Sequence, residues 1–270
     1  ANDAKLFVPV ENIEVLSRYG ADDDNIQLDT LGGLAWQAKK AKVKAKIRDI
    51  AEKLIKIAAE RHLKSADVFI PASGAYDEFC AKFPYSETDD QLNAIADVLK
   101  DLGQGSPMDR LVSGDVGFGK TEVALRAAFA VASSGAQVAL IVPTTLLARQ
   151  HYYNFKKRME GFPMKVKMLS RLVMPNEAEE TRRGLADGSV EIVIGTHALL
   201  SKDIKFCNLG LLIIDEEQHF GVAHKEKLKS LKSDVHVLTL TATPIPRTLQ
   251  MSLTGVKQLS IIGTPPVDRL

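Results

Sequence analysis

The sequence is poor in cysteine: 270 residues carry two, Cys80 and Cys207, far apart in the chain. That excludes a disulfide framework and a cysteine-based zinc site, and it suits a reducing compartment. No apolar run approaches the ~20 residues that a membrane-spanning helix needs, so no membrane partner is expected, and no secretory leader pattern is present. An excess of either charge is also missing. Against 35 Lys and Arg stand 34 Asp and Glu, a net charge of +1. Such a balance argues neither for nor against nucleic acid, because local clustering matters more than the sum. What is present, 45% hydrophobic residues with balanced charge, fits a soluble globular protein with one large domain, or one plus a fragment. The first residue is Ala1 rather than a start methionine, which predicts an excised piece of something longer.

The chain is organised around Gly114-Asp115-Val116-Gly117-Phe118-Gly119-Lys120-Thr121. This is the spacing G-x-x-x-x-G-K-[ST] of a phosphate-binding loop. An apolar run, Met108 to Ser113, precedes it as a buried strand, and the helix formers from Glu122 follow it. Strand, glycine loop and helix suit the chemistry. Glycines let backbone N–H groups turn around phosphates, and the helix N-terminus adds its positive end. Lys120 is expected to reach the β- and γ-phosphates of ATP, and the Thr121 hydroxyl to ligate Mg²⁺.

Residues 1–31 read as the tail of a domain cut through, with a possible edge strand around Pro9 and no core of its own. Gly32-Gly33 opens a long helix, roughly Leu34 to Leu63, with Val43, Ile47, Ile50, Leu54 and Ile57 on one stripe. Its other faces are rich in lysine. That pattern suits nucleic acid or a partner, but also the solvated face of a connecting helix, and no aromatic residues are interleaved that could stack bases. A short helix is expected over Ala75 to Lys82. Thr88 and Gln91 form a capping box for a helix from Asp89 to Leu102, with Leu92, Ile95, Ala96 and Leu99 on one face. From Met108 onward strands alternate with helices. Strands are predicted at Arg110–Ser113, Gln137–Val142, Lys165–Leu169, Glu191–Gly195, Leu209–Ile214 and His236–Leu240, with helices near 120–133, 145–159, 175–187 and 223–231. This is the pattern of a mainly parallel α/β sheet with helices on both faces, whose ligands bind beyond the carboxyl ends of the strands.

The strand from Leu209 ends in Asp215-Glu216-Glu217-Gln218. Acids at the end of a buried strand need a role. With a phosphate loop upstream, Asp215 is expected to hold Mg²⁺ and Glu216 to orient or deprotonate the attacking water. Glu217 and Gln218 carry less, and His219 reads as a structural or coupling residue rather than a metal ligand, since no second His or Cys lies at metal spacing. Thr241-Ala-Thr243-Pro244 closes the next strand, where hydroxyls could relay the γ-phosphate state. Thr145 and Arg149, in Pro143-Thr-Thr-Leu-Leu-Ala-Arg-Gln, and Thr196-His197, after another strand, suit the phosphates of a nucleic-acid backbone.

In order, the motifs read FPYSETDDQ, GDVGFGKT, PTTLLARQ, GTHALL, DEEQHFG and TATPIPRT. That series resembles the first motor domain of superfamily 2 helicases and translocases. More narrowly, it is similar to the bacterial transcription-repair coupling factor family and, less closely, to RecG-type branch-migration helicases. The resemblance covers essentially the whole chain. It implies a RecA-like P-loop domain at 65–270, preceded by a long linking helix at 32–64 and a partial small β domain at 1–31 that resembles the end of an RNA polymerase-interacting domain. It implies adenine contacts from Phe83 and Gln91, nucleotide binding by Gly114 to Thr121, and ATP-to-DNA coupling through Gln218, Thr241 and Thr243. Thr145, Arg149, Thr196 and His197 lie in motifs that face DNA in that family. The implied activity is ATP-driven translocation on double-stranded DNA that displaces stalled RNA polymerase and recruits nucleotide-excision repair proteins. A second motor lobe would supply arginine fingers, so these 270 residues alone are expected to lack appreciable ATPase. The alternatives are a RecG-type lobe and a nucleotide-gated interaction module that binds ATP without hydrolysing it.

Overall fold

The computed structural model describes residues 63–220, 235–242 and 258–266, with isolated positions between 37 and 59 and at 224 and 228. The chain divides into two units, Ala1–Lys56 and Ile57–Leu270. In the first, the described positions are helical, and Arg48 Nε donates to Glu52 at 3.0 Å, one turn away. Val43, the described member of the expected apolar stripe, is 56% exposed; Ile47, Ile50, Leu54 and Ile57 lie outside the described residues.

The second unit is built on seven strands: β1 (Asp109–Gly114), β2 (Gln137–Ile141), β3 (Val166–Leu169), β4 (Ile192–Gly195), β5 (Leu209–Asp215), β6 (His236–Thr241) and β7 (Gln258–Ile262). They form one sheet in the order β3-β4-β2-β5-β6-β1-β7, and every pairing is parallel. Five α-helices complete the described part: α1 (Ser73–Ala81), α2 (Asp89–Leu102), α3 (Lys120–Ser133), α4 (Thr145–Arg158) and α5 (Pro175–Asp187). The expected alternation therefore holds to within a residue or two, and its cause is visible in the burial. Strand β2 is buried along its whole length and β5 along all but its first residue, as a parallel sheet covered on both faces requires.

Two apolar layers flank the sheet. Leu238 and Leu240 of β6 pack into the layer that holds α3, with Phe129 and Phe79 at its centre, while Val237 faces the layer that includes Ile214 and Leu185. Two expectations are corrected. The buried stripe of α2 is Gln91, Ala94, Ile95, Val98 and Leu102, whereas Leu92 is 45% exposed and Ala96 is also at the surface. Gln91 lies on that buried face and turns inward to the phosphate loop. Strand β7 was not predicted; it pairs with β1 from Arg110↔Gln258 to Gly114↔Ile262. Of the helix expected at 223–231, positions 224 and 228 are helical and the rest lie outside the described residues.

Candidate active site

Strand β1 ends at Gly114 and α3 begins at Lys120, so the loop between them is 115–119. Gly119 has φ +84°, and a Cβ there would stand 2.2 Å from Gln91 Nε2. Glycine thus lets Gln91 approach the loop, where its Nε2 donates to Phe118 O at 2.9 Å. The same side chain closes the expected capping box: Gln91 Oε1 accepts from Thr88 N at 3.1 Å, and Thr88 Oγ1 accepts from Gln91 N at 3.3 Å. Asp115 and Val116 are exposed on the loop, with Asp115 Oδ1 accepting from Val116 N at 2.7 Å.

Lys120 folds back on its own loop. Its Nζ donates to Gly114 O at 2.6 Å and to Asp115 O at 2.9 Å. These carbonyls satisfy the ammonium in the way phosphate oxygens would. Burial holds its pKa below the ordinary lysine range, while the negative charges of Asp215, Glu216 and Asp115 pull it back up. The loop and the acidic strand end therefore share one electrostatic site.

Asp215 is the last residue of β5 and 9% exposed. Glu216 follows at φ +53°, the one non-glycine residue with positive φ among the described residues; this backbone costs about 1 kcal/mol. Its Oε1 accepts from Ala242 N at 3.1 Å, and its other carboxylate oxygen accepts from Gln218 Nε2. Gln218 is thereby joined to the acidic pair, and the acidic pair to the segment after β6. Thr241 ends β6, 8% exposed, in register with Ser113 of β1. Thr243 lies outside the described residues.

A cleft of about 650 Å³ opens beside the loop, lined by Phe83, Tyr85, Gln91, Gly117, Thr121 and Pro266 among others. Phe83 is half-buried, its ring 5.9 Å from the Arg126 guanidinium and 5.6 Å from that of Arg158. Tyr85 stands edge-on to it at 5.5 Å and is 58% exposed, so Tyr85 offers the more open ring. Sequence reasoning named Phe83 and Gln91 here but not Tyr85, which lies two residues after Phe83 in the same motif. It also missed Asp90, which accepts from Gly263 N at 3.0 Å, Thr264 N at 2.9 Å and Thr264 Oγ1 at 2.8 Å. The Thr264 hydroxyl, with the two amides, holds the Asp90 carboxyl below the usual carboxylate range. That clasp ties the segment after β7, two residues before Pro266, to the helix that carries Gln91.

The residues expected at a nucleic-acid backbone behave differently from one another. Thr145 is the first, half-buried residue of α4, whose cap is Thr144 accepting from Leu147 N at 3.3 Å. Arg149 is exposed, with its guanidinium 5.7 Å from the Tyr153 ring. His197 is exposed and stacks on His224 at 4.9 Å. Thr196 corrects the expectation of a surface hydroxyl: it is 2% exposed, and its Oγ1 has no partner among the described residues. It sits where β4 passes into the 3₁₀ turn His197–Leu200, which turns its side chain inside.

The oxygen donors at this site suit Mg²⁺: a Thr121 hydroxyl and an Asp215 carboxylate are hard ligands. Among the described residues no group of three or more His, Cys, Asp or Glu could hold a metal by itself.

A phosphate loop on the first strand of a parallel sheet, with an acidic pair ending a strand one place removed, defines a RecA-like P-loop domain of the helicase type. The chain belongs to the DEAD/DEAH box helicase family, whose model matches residues 88–252. Over its whole length it is 57% identical to a transcription-repair-coupling factor of Rickettsia bellii and 51% identical to one of Escherichia coli, covering 24% of each. It thus spans about a quarter of the length of these relatives. A solved structure of RecG bound to a three-way DNA junction matches 82% of the chain at 33% identity, with a TM-score of 0.69 and 30% of that chain covered.

Proposed function

We propose that this chain is the first motor lobe of an ATP-dependent translocase on double-stranded DNA. In the complete protein it would displace stalled RNA polymerase and bring nucleotide-excision repair proteins to the site, in a bacterial cytoplasm. The observation that carries the chemistry is the placement of the phosphate loop after β1 and of Asp215-Glu216 at the end of β5, at the carboxyl ends of strands in one parallel sheet, with Glu216 bonded to Ala242. The identity to coupling factors over the whole chain supports the cellular role, and the RecG likeness, at lower identity, supports the broader reading of a DNA motor. We assign residues 1–31 to the end of a polymerase-interacting domain, 32–64 to a linking helix and 65–270 to the motor lobe.

Thr121 and Asp215 would hold Mg²⁺, which neutralises phosphate charge when bound. Lys120 would leave Gly114 O and Asp115 O for the β- and γ-phosphates. Gln91, Phe83 and Tyr85 would receive the adenine at the open end of the cleft. Glu216 would take a proton from the attacking water, and its bonds to Ala242 and Gln218 would pass that event to β6, Thr241 and Thr243. Thr145, Arg149 and His197 would meet the DNA backbone.

The test is titration of the chain with a fluorescent ATP analogue. The wild-type chain is expected to bind, and Lys120→Ala to weaken binding by roughly tenfold to a hundredfold, since a hydrogen bond to a charged group contributes about 1.5–3 kcal/mol. Equal affinity of the two proteins would remove Lys120 from the site. The same preparation is expected to turn ATP over very slowly, because an arginine from a second lobe contributes about 10³–10⁵ in related phosphoryl transfers. Brisk DNA-stimulated phosphate release by these 270 residues would overturn that part.

A further inference from the structure

Helix α4 reaches back beneath the acidic strand end. His151, on its second turn, is 6% exposed. Its Nε2 lies 2.9 Å from Asp215 Oδ2. A carboxylate oxygen can only accept, so Nε2 carries the hydrogen and donates it. The other ring nitrogen, Nδ1, is buried with no hydrogen-bond partner among the described residues. The ring otherwise meets Phe155 edge-on at 6.4 Å.

Packing does not account for an imidazole here. An apolar side chain would fill the position without burying an unpaired nitrogen. What the imidazole supplies in return is the bond to Asp215. That bond commits Oδ2 to the protein and leaves Oδ1 for another partner, so the carboxylate has one preferred orientation.

We propose that His151 is a positioning residue for Mg²⁺-nucleotide binding. It holds the Asp215 carboxylate in the orientation that receives the ion, as hydrogen-bonded neighbours of metal ligands generally do. This rests on the reading of Asp215 as a Mg²⁺ ligand.

The experiment titrates the fluorescent ATP analogue into the chain in EDTA and at a series of Mg²⁺ concentrations, for wild type, His151→Leu and His151→Gln, with a melting temperature for each. His151→Leu keeps an apolar filling and removes the donor. It is expected to raise the Mg²⁺ concentration at half-effect by about tenfold, in line with other neighbours of metal ligands, while leaving affinity in EDTA as in wild type. His151→Gln, whose amide can reach Oδ2, is expected to recover most of the response. The proposal is overturned if His151→Leu responds to Mg²⁺ as wild type does, or if both variants lose affinity equally with and without Mg²⁺ alongside a lower melting temperature, which is a packing role. A wild-type chain that binds nucleotide but ignores Mg²⁺ would overturn the metal reading itself and this proposal with it. That result is distinct because no variant is needed to see it.

Discussion

Glu216→Gln in the full-length protein is expected to lower ATP turnover by roughly 10²–10⁴-fold, the usual range for removing a positioned general base, while nucleotide affinity stays close to wild type. The reason lies in how this carboxylate is held. Its backbone is left-handed, its Oε1 accepts the Ala242 amide at 3.1 Å, and its other oxygen accepts from Gln218. Glutamine has the same size and keeps one acceptor oxygen, so the turn and the bond to Ala242 can survive. What it loses is the ability to take a proton. Separate measurements of phosphate release and of nucleotide binding distinguish this from a loss of structure. If turnover is unchanged, another group is the base and Glu216 serves the link to β6 alone.

The largest effect on stability is expected at Glu122. This residue is 4% exposed, and its Oε1 accepts from Arg126 Nε at 2.9 Å and from Arg158 Nη2 at 2.8 Å. Arg126 also reaches Glu87, and Arg158 donates from Nη1 to Phe79 O at 3.2 Å while its guanidinium lies 4.3 Å from the Phe79 ring. The cluster joins the first turn of α3, the end of α4 and the segment from Phe79 to Glu87. Glu122→Ala would leave the buried Arg126 with Glu87 alone and the partly buried Arg158 without a carboxylate. Removing one partner of a buried ion pair typically destabilises by about 3–5 kcal/mol, and the midpoint of urea unfolding should fall accordingly. Glu122→Gln, which retains an acceptor, should lose less. A shift in Glu122→Ala of under about 1 kcal/mol, the range of exposed pairs, would mean that water compensates these charges. Nucleotide affinity should fall as well, because Phe83 and Arg158 line the cleft.

The Glu122 cluster could not be found by reading along the chain. Glu122 reads as an ordinary helical acid; its partner Arg158 is 36 residues after it, and Glu87, which shares Arg126 with it, is 39 residues before that arginine. His151 is 64 residues from Asp215, and Asp90 is 174 from Thr264. Strand β7 went unseen for a related reason. It has five residues, Ile261 is 46% exposed, and it is a strand because β1 lies beside it. Thr196 and the face of α2 show a further limit. A motif places a residue at a strand end, and periodicity marks an apolar stripe, but neither says which way a polar side chain turns once Gln91 or the 3₁₀ turn has a partner.

By itself, the sequence determined what depends on local spacing: the phosphate loop, the capping box at Thr88, the alternation of strands and helices, and the acids that end β5. Each is set within a few residues by backbone geometry or by side-chain period, so it survives without knowledge of the rest. Tertiary structure alone decided the strand order, which stands β6 between the phosphate loop and Asp215. It also decided the retreat of Lys120 onto its own carbonyls, the grip of Ala242 on Glu216 and the hold of His151 on Asp215. Those depend on which distant groups arrive at the carboxyl end of the sheet. Burial then makes their pairing obligatory, because a charge or polar atom removed from water must find a partner wherever the fold supplies one.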